Sequence, residues 1–139
     1  MDQIVLVTPN TEEYRSMNGI FPIERLKRET YVLREVGSGT KLAAESIEQS
    51  LNLHTKPLKV AMQAESSEMV RRGVEQGLGV AFISNLAVKD SVEREKILKF
   101  EIPDMDTRRQ IYLIYHKDRV MTLPITSVMK TLKQYCQKM

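Results

Sequence analysis

The chain has 139 residues, 42% hydrophobic and 28% charged, which is the composition of one soluble domain with a core and excludes a largely disordered chain. Its formal charge of +3 comes from 21 basic and 18 acidic residues with no basic block, so the composition is only a weak indication of nucleic-acid binding. The single cysteine, Cys136, excludes an intrachain disulfide, and the apolar run after Asp2 is too short for a signal peptide or a membrane span. We therefore expect a cytoplasmic protein with no membrane partner.

Strand-like and helix-like segments alternate along the chain, and this order predicts an α/β layer structure with a largely parallel sheet. Short apolar runs indicate strands at residues 4–7 and in the segments TYVLRE, LKVAMQA, GVAFIS, ILKFEI and RQIYLIY. A polar loop that reaches Pro22 is expected after the first strand. Helices are expected at about residues 23–28 and in the segments that begin GSGTKL, ESSEMV, NLAVKD and LPITSV.

The longer helical segments are predicted to bury one face and expose the other. In the helix after GSGT, the residues expected to be buried are Leu42, Ala43, Ile47 and Leu51, opposite Lys41, Glu45, Glu48 and Gln49. In the next helix they are Met69, Val70, Gly73 and Val74, with Gly77 ending the helix. Asn85 is expected to cap the helix that follows. The final helix carries an apolar stripe made of Ile125, Val128, Met129, Leu132, Tyr135, Cys136 and Met139.

Two strand-to-helix corners are the candidate binding features, GSGT at residues 37–40 and ESS at residues 65–67. Successive parallel strands place their carboxyl ends at one edge of a sheet, and ligands bind at that edge. Helix N-termini there offer backbone N–H groups and a partial positive charge, which suit a small anion or carboxylate. The alternative is that Ser38, Thr40 and Ser66 only cap helices, and on spacing alone this second interpretation is favoured.

Nucleotide-binding and DNA-binding motifs fail on detail. A dinucleotide fingerprint that started at Gly37 would need a third glycine where Leu42 stands, and the Gly-Lys-Ser/Thr ending of a phosphate loop is absent. The segment VRRGVEQGLGVAFISNLAV has the length of a helix-turn-helix, but residues 80–83 are apolar throughout, whereas a recognition helix needs a polar outer face. We interpret that segment as core.

The sequence indicates no catalytic residue, no metal site and no cofactor. His54 and His116 have no ligand-like spacing with acids or with Cys136, so both are expected at the surface. Asp104 and Asp106 lack the further oxygen ligands and the glycine of a calcium loop, and a turn explains them.

Four further residues stand close to the corners or in the strands that lead to them. Arg34 and Glu35 are expected to form an ion pair or to face solvent, in preference to a catalytic role. Met62 and Phe82 lie in predicted strands, where a place in the core is favoured and the lining of a cleft is the alternative.

The order of these segments resembles the effector-binding module of LysR-type transcriptional regulators. The resemblance depends on LREVGSGTK, then ESSEMVRRGVEQGLGVAFISNLAV, then LKFEI followed by RRQIYLIYHK, and it covers almost all of the chain from Ile4 onward. It implies a two-lobed fold like that of the type 2 periplasmic binding proteins, with the effector cleft between the lobes. By this resemblance, residues 1–8 and 109–117 are the hinge strands, 9–108 are the second lobe, and 118–139 are a helix that returns to the first lobe.

The family's amino-terminal winged helix-turn-helix, its linker helix and the opening part of its first lobe have no counterpart in this sequence. The resemblance implies that Ser38, Gly39 and Thr40 form the family's effector-contacting corner. It also implies that the cleft is lined by Gln63, Glu65, Ser66, Ser67 and Phe82. When the resemblance is taken into account, we favour effector binding by GSGT over helix capping alone, and the same residues can have both roles.

The resemblance therefore implies a sensor and not an enzyme: the regulatory part of a bacterial regulator that binds a small anionic metabolite and alters promoter binding by the full-length protein. Promoter DNA would be contacted only through the missing amino-terminal domain, and the protein would be a homo-oligomer. A solute-binding protein of a transporter has the same fold and is the main alternative. A small phosphate-handling enzyme is a third, but no nucleophile and base are evident beside GSGT.

Overall fold

The computed structural model describes residues 1–102, 105–118 and 120–137, and the chain forms two compact units. One unit is Asp2–Arg108, and the other is Arg109–Met139 together with Met1. Asp104, predicted in a turn, and Met139, predicted in the apolar stripe, lie outside the described residues. The side chain of His54 lies outside them as well.

The first unit is built on five strands: β1 (Asp2–Pro9), β2 (Thr30–Arg34), β3 (Lys59–Ala64), β4 (Ala81–Ser84) and β5 (Ile97–Phe100). β2 pairs with β3 in parallel, and a parallel bridge between Tyr31 and Val80 joins β2 to the start of β4. There the Val80 N–H donates to the Thr30 carbonyl at 2.8 Å and the Val32 N–H donates to the Val80 carbonyl at 2.9 Å. β1 pairs with β4 on one side and β5 on the other, so the strand order is β3, β2, β4, β1, β5.

The prediction of a largely parallel sheet is confirmed for the β2–β3 pair and for the bridge from β2 to Val80, and it is wrong for β4, β1 and β5, whose ladders are antiparallel. Strands β2, β3, β4 and β5 share one direction, whereas β1 is antiparallel to both of its neighbours. β1 precedes the strand–helix repeat that aligns β2, β3 and β4, so no crossover helix sets its direction. Its apolar run indicates a strand buried on both faces but carries no information on direction.

Five α-helices and one turn of 3₁₀-helix, Leu53–Thr55, belong to this unit. The α-helices are α1 (Glu12–Arg15), α2 (Ile23–Leu26), α3 (Gly39–Ser50), α4 (Ser67–Glu75) and α5 (Asn85–Glu93). The short helix α1 lies where the sequence predicts only a polar loop. The prediction for Asn85 is also wrong, since Asn85 is the first helical residue and Ser84 takes the cap position. The Ser84 hydroxyl makes no cap bond and instead donates to the Asp2 carboxylate at 2.8 Å.

The core covers both faces of the sheet, because successive residues of a strand point to opposite sides. Ile4 and Leu6 of β1 belong to one buried cluster, which includes residues of α3, and Val5 and Val7 belong to the other, which includes residues of α4 and α5. Residues 80–83 are buried in the same alternating way. This confirms the interpretation as core for residues 80–83, whereas Leu78 and Leu86 of the same segment are exposed.

Three residues on the predicted faces of two helices, α3 and α4, need correction. Leu42 and Met69, predicted as buried, are exposed at 62% and 52%, whereas Glu48, predicted as solvated, is only 8% exposed. The buried stripe of α3 contains Thr40, Ala44, Ile47 and Glu48. It is rotated from the predicted stripe because α3 packs on the sheet through its small residue Ala44 instead of through Leu42.

The second unit contains one long helix, α6 (Leu123–Gln137), as predicted. The two-residue strand β6 (Arg108–Arg109) lies at the boundary of the units. The predicted strand RQIYLIY is otherwise wrong, since residues 110–116 form no regular secondary structure. Ile111 and Ile114 are 66% and 87% exposed, and an apolar segment needs both a pairing strand and a covering layer to persist as a strand.

Gly79 is predicted to be the least replaceable of the described glycines. A Cβ atom there would lie 2.2 Å from the Thr30 carbonyl oxygen, which accepts the hydrogen bond from Val80. We expect Gly79→Ala to lower the free energy of unfolding by about 3 kcal/mol or more, measured by urea denaturation. Gly39→Ala is the matched control, because a Cβ there meets nothing within 4 Å, and we expect a change of at most about 1 kcal/mol. Equal effects of the two substitutions would contradict the close approach of Gly79 to β2.

Glu48 is predicted to destabilise the fold at neutral pH. Burial raises the pKa of its carboxyl above the ordinary 4.5, and its Oε1 atom has no hydrogen-bond partner. A raised folded-state pKa means that stability falls as the pH rises from about 4.5 through the folded-state value. Glu48→Gln is therefore expected to be about 1 kcal/mol more stable than wild type at pH 7.5, with no advantage below pH 4.5.

The control for this measurement is Glu93→Gln on α5, because the Glu93 side chain is 62% exposed and does not contribute to the pKa of Glu48. Thermal denaturation of the three proteins across this pH range is the measurement. A stabilisation by Glu48→Gln that is the same at every pH, or that Glu93→Gln shares, would contradict the assignment to a buried charge.

Candidate functional site

The parallel pairing of β2 and β3 brings the two predicted corners to one edge of the sheet. Leu33 is paired with Gln63 and Arg34 with Ala64, and the Glu35 N–H continues the ladder by donating to the Ala64 carbonyl at 3.0 Å. Shortly after this last bond, the chain leaves β2 to form α3 and leaves β3 to form α4. This confirms the prediction that the two corners share an edge.

The first corner is a tight turn that ends in a helix cap. Gly37 has φ +92°, a left-handed conformation that glycine adopts without strain. Ser38 is extended, and its hydroxyl accepts a hydrogen bond from the Lys41 N–H at 3.0 Å. Gly39 and Thr40 are the first residues of α3, and Thr40 is buried. The prediction that Ser38 caps a helix is therefore confirmed. The tight turn at this corner places the N-terminus of α3 at the edge of the sheet.

The second corner has the same construction. Ser66 is extended, and its hydroxyl accepts a hydrogen bond from the Met69 N–H at 3.2 Å, which caps α4. Ser67 is the first helical residue and is partly buried, while Glu65 is exposed. Gly77, with φ +78°, ends α4 as predicted.

Arg34 joins the two corners through its guanidinium group. Its Nε and one terminal nitrogen donate to the two carboxylate oxygens of Glu35, both at 2.8 Å. The other terminal nitrogen donates to the Ser67 hydroxyl at 2.8 Å, and a further bond reaches the Glu65 carbonyl at 3.2 Å. The predicted Arg34–Glu35 ion pair is confirmed, and hydrogen bonding from Arg34 holds the pKa of the Glu35 carboxyl below its usual range. The connection to the second corner was not predicted.

The structure separates Gln63 from Phe82. Gln63 is exposed at the edge, and its side-chain amide donates to the Arg34 carbonyl at 3.5 Å. Phe82 is only 4% exposed and lies in the core, with its ring centroid 6.1 Å from that of Tyr31. Seven of the eight predicted site residues are therefore close together at the edge. Phe82 supports the sheet from within, and its contact with an effector stays a prediction.

This edge has the chemistry of an anion-binding site. The first N–H groups of a helix have no acceptor within the helix, and two helix N-termini with their partial positive charges lie here beside several hydroxyl groups. The guanidinium group of Arg34 is already paired with a carboxylate, so much of the binding would come from hydrogen bonds. No His, Cys, Asp or Glu residues of the described ranges are grouped in threes as a metal would need.

The remaining charged residues from the sequence analysis lie elsewhere. The His116 side chain is 76% exposed, with its Nδ1 atom 3.8 Å from the Asp118 carboxylate. Asp106 forms an ion pair with Arg108 at 2.8 Å. In the part of the chain that the structure describes, no helix has both the length and the apolar character needed to cross a membrane.

Comparison with known proteins identifies the family. The family model described as "LysR substrate binding domain" matches residues 1–137, and the chain belongs to this family. The RuBisCO operon transcriptional regulator of Allochromatium vinosum is 29% identical over 97 residues, which are 70% of this chain and 31% of that protein. The regulator CbbR of Sinorhizobium medicae is 30% identical over 99 residues, 71% of this chain and 31% of the relative. The chain thus spans about a third of the length of these relatives.

Solved structures with low identity confirm the predicted fold. The CcmR regulatory domain of Synechocystis PCC6803, in complex with 2-PG, aligns with a TM-score of 0.75 at 19% identity over 94% of this chain and 61% of its own. The effector-binding domain of QuiR, in complex with shikimate, aligns with a TM-score of 0.77 at 16% identity, over 99% of this chain and 63% of its own. An ancestral arginine-binding protein bound to arginine aligns with a TM-score of 0.58 at 11% identity, over 98% of this chain and 55% of its own. The fold is the periplasmic-binding-protein-like module that the sequence analysis expected.

Proposed function

We propose that this chain is the effector-binding part of a LysR-type transcriptional regulator and that it binds a small anionic metabolite at the edge formed by the α3 and α4 corners. The observation that carries the proposal is the parallel register of Leu33 with Gln63 and Arg34 with Ala64, which places two capped helix N-termini side by side. Two such N-termini favour an anion over a neutral or cationic ligand. Shikimate, the ligand of the QuiR domain, is a carboxylate and agrees with this choice.

A regulator is favoured over a transporter protein by the kind of relative that shares sequence with the chain. The relatives named above are transcriptional regulators, while the arginine-binding protein shares only the fold. The resemblance is to the non-enzymatic part of such regulators, so the proposed role is sensing without catalysis. We place the protein in the cytoplasm, where the promoter DNA of a bacterial regulator lies.

The proposed coupling to DNA uses a hinge. Residues 1–8, which contain most of β1, and residues 109–117, of which 110–116 form no strand in this chain, would be the two hinge segments. Residues 9–108 would be the second lobe, and residues 118–139 the helix that returns to the first lobe. Effector binding would stabilise one arrangement of the lobes and so shift the arrangement of subunits in a homo-oligomer. Promoter DNA would be contacted by a winged helix-turn-helix outside this chain.

Replacing Ser38 or Thr40 by alanine is predicted to separate the role of a cap from that of a binding residue. Losing the Ser38 cap costs about 1 kcal/mol of stability, or about 2 to 6 °C in melting temperature, and a loss of similar size is expected for the buried Thr40 side chain, so the fold survives. Losing a hydrogen bond to a charged effector costs about 1.5 to 3 kcal/mol, which weakens binding about ten- to a hundred-fold. We expect an intact regulator carrying Ser38→Ala or Thr40→Ala to bind its promoter but to need at least tenfold more effector, measured by a reporter assay.

The matched control is Ser46→Ala, an exposed serine on the same helix far from the corner. Gly39→Ala adds a second test, since its methyl group meets no protein atom within 4 Å but would stand where a ligand approaches the backbone. It should keep the melting temperature and lose the effector response. If all three single variants, at Ser38, Gly39 and Thr40, respond to the effector as the wild type does, these residues have only a structural role and the proposed site is contradicted.

The apolar surface of the second unit is predicted to drive self-association. Val128, Leu132 and Tyr135 of α6 are 58%, 44% and 64% exposed, and an apolar stripe of this kind is unfavourable in water. We expect sedimentation velocity to show dimers or larger species at micromolar concentration. Val128→Glu with Leu132→Lys should yield a folded monomer. A wild-type chain that is monomeric at these concentrations would contradict the prediction.

A further inference from the structure

We propose that Arg34 is a positioning residue for effector binding, which holds the α3 and α4 corners at a fixed separation and acts through Glu35 and Ser67 without contacting the effector. This inference rests on the proposed function, because it assigns a role at the same edge. Arg34 was expected only to pair with its neighbour. Its bonds to Ser67 and to the Glu65 carbonyl in the second corner are what the structure adds.

The position of Arg34 explains how one side chain can reach both corners. Arg34 is the last residue of β2, paired with Ala64, so it stands where the two strands stop and their helices begin. Its side chain is 15% exposed, and the Glu35 side chain is 34% exposed. The guanidinium group is planar and offers donors in a fixed fork, so one group can bind Glu35 through two bonds and still donate to Ser67.

The bonds of Arg34 extend the contact between the corners past the end of the sheet. The backbone ladder between the two chains continues as far as the bond from the Glu35 N–H to the Ala64 carbonyl. Beyond it, Arg34 donates to the Glu65 carbonyl and to the Ser67 hydroxyl, both of which belong to the second corner. A shift of one corner relative to the other therefore breaks charge-assisted hydrogen bonds in a partly buried place.

The pairing with Glu35 argues against direct contact between Arg34 and an anion. Both carboxylate oxygens of Glu35 are occupied at 2.8 Å, and this pairing raises the pKa of Arg34 further. An incoming anion would have to displace a carboxylate that is covalently adjacent in the chain. Holding the corners in place is the role that accounts for all the observed bonds of Arg34. It matters for binding because an effector held by two helix N-termini loses affinity when the separation of those N-termini changes.

The test measures anion affinity separately from stability. The wild-type chain is titrated with acetate and with inorganic phosphate, and the backbone amide signals of Gly39 and Ser67 are followed by NMR. We expect saturable shifts at millimolar concentration, about tenfold weaker affinity in Arg34→Gln, and partial recovery in Arg34→Lys, which keeps the charge without the fork. Arg94→Gln is the control, because Arg94 is exposed and lies at the C-terminal end of α5, away from the helix N-termini that follow the strands.

Glu35→Ala decides between positioning and direct contact, because the two roles predict opposite signs. If Arg34 positions the corners, removing Glu35 loosens it and weakens anion binding. If Arg34 contacts the anion, removing Glu35 frees the guanidinium group and strengthens binding. Stronger binding by Glu35→Ala, or wild-type affinity in Arg34→Gln, would overturn the inference while leaving the proposed site intact. An absence of saturable shifts in the wild-type chain would instead contradict the proposed site itself.

Discussion

The parallel pairing of β2 with β3 is the constraint on which the candidate site depends. Parallel strands place their carboxyl ends at one edge, so the helices that follow them begin side by side. The register of Arg34 with Ala64 then decides which residues of the two turns face each other. Side chains improve this arrangement, through the caps of Ser38 and Ser66, but the backbone hydrogen bonds of the sheet create it.

The antiparallel strand β1 contributes to the core on both faces of the sheet in the first unit. It is buried along nearly its whole length and lies between β4 and β5, so its apolar side chains contribute to the clusters on both faces of the sheet. Because those clusters contain residues of α3 on one face and of α4 on the other, β1 links the core beneath both corners. The stability of the site edge is thus supplied by burial beneath it.

Charge at the edge is balanced in a way that suits a small ligand. Two helix N-termini contribute partial positive charge, while the guanidinium group of Arg34 is neutralised by Glu35. A site of this kind binds an anion through directed hydrogen bonds more than through net charge. At the proposed site, such hydrogen bonds would select for the shape and the acceptor positions of a ligand, as the proposed sensing role requires.

The sequence by itself determined most of the element types, the shared edge of the two corners and the family resemblance, because each of these follows from local patterns: apolar periodicity, glycine at turns and serine before helices. Only the tertiary structure decided the direction of β1, the burial of Glu48 in place of Leu42, the absence of a strand at residues 110–116, and the bonds from Arg34 to Ser67. These features depend on which surfaces meet after folding. A residue such as Arg34 has the same local sequence whether or not a serine 33 positions later arrives within 2.8 Å of it, and that proximity is produced by the pairing of strands, not by the residues next to it.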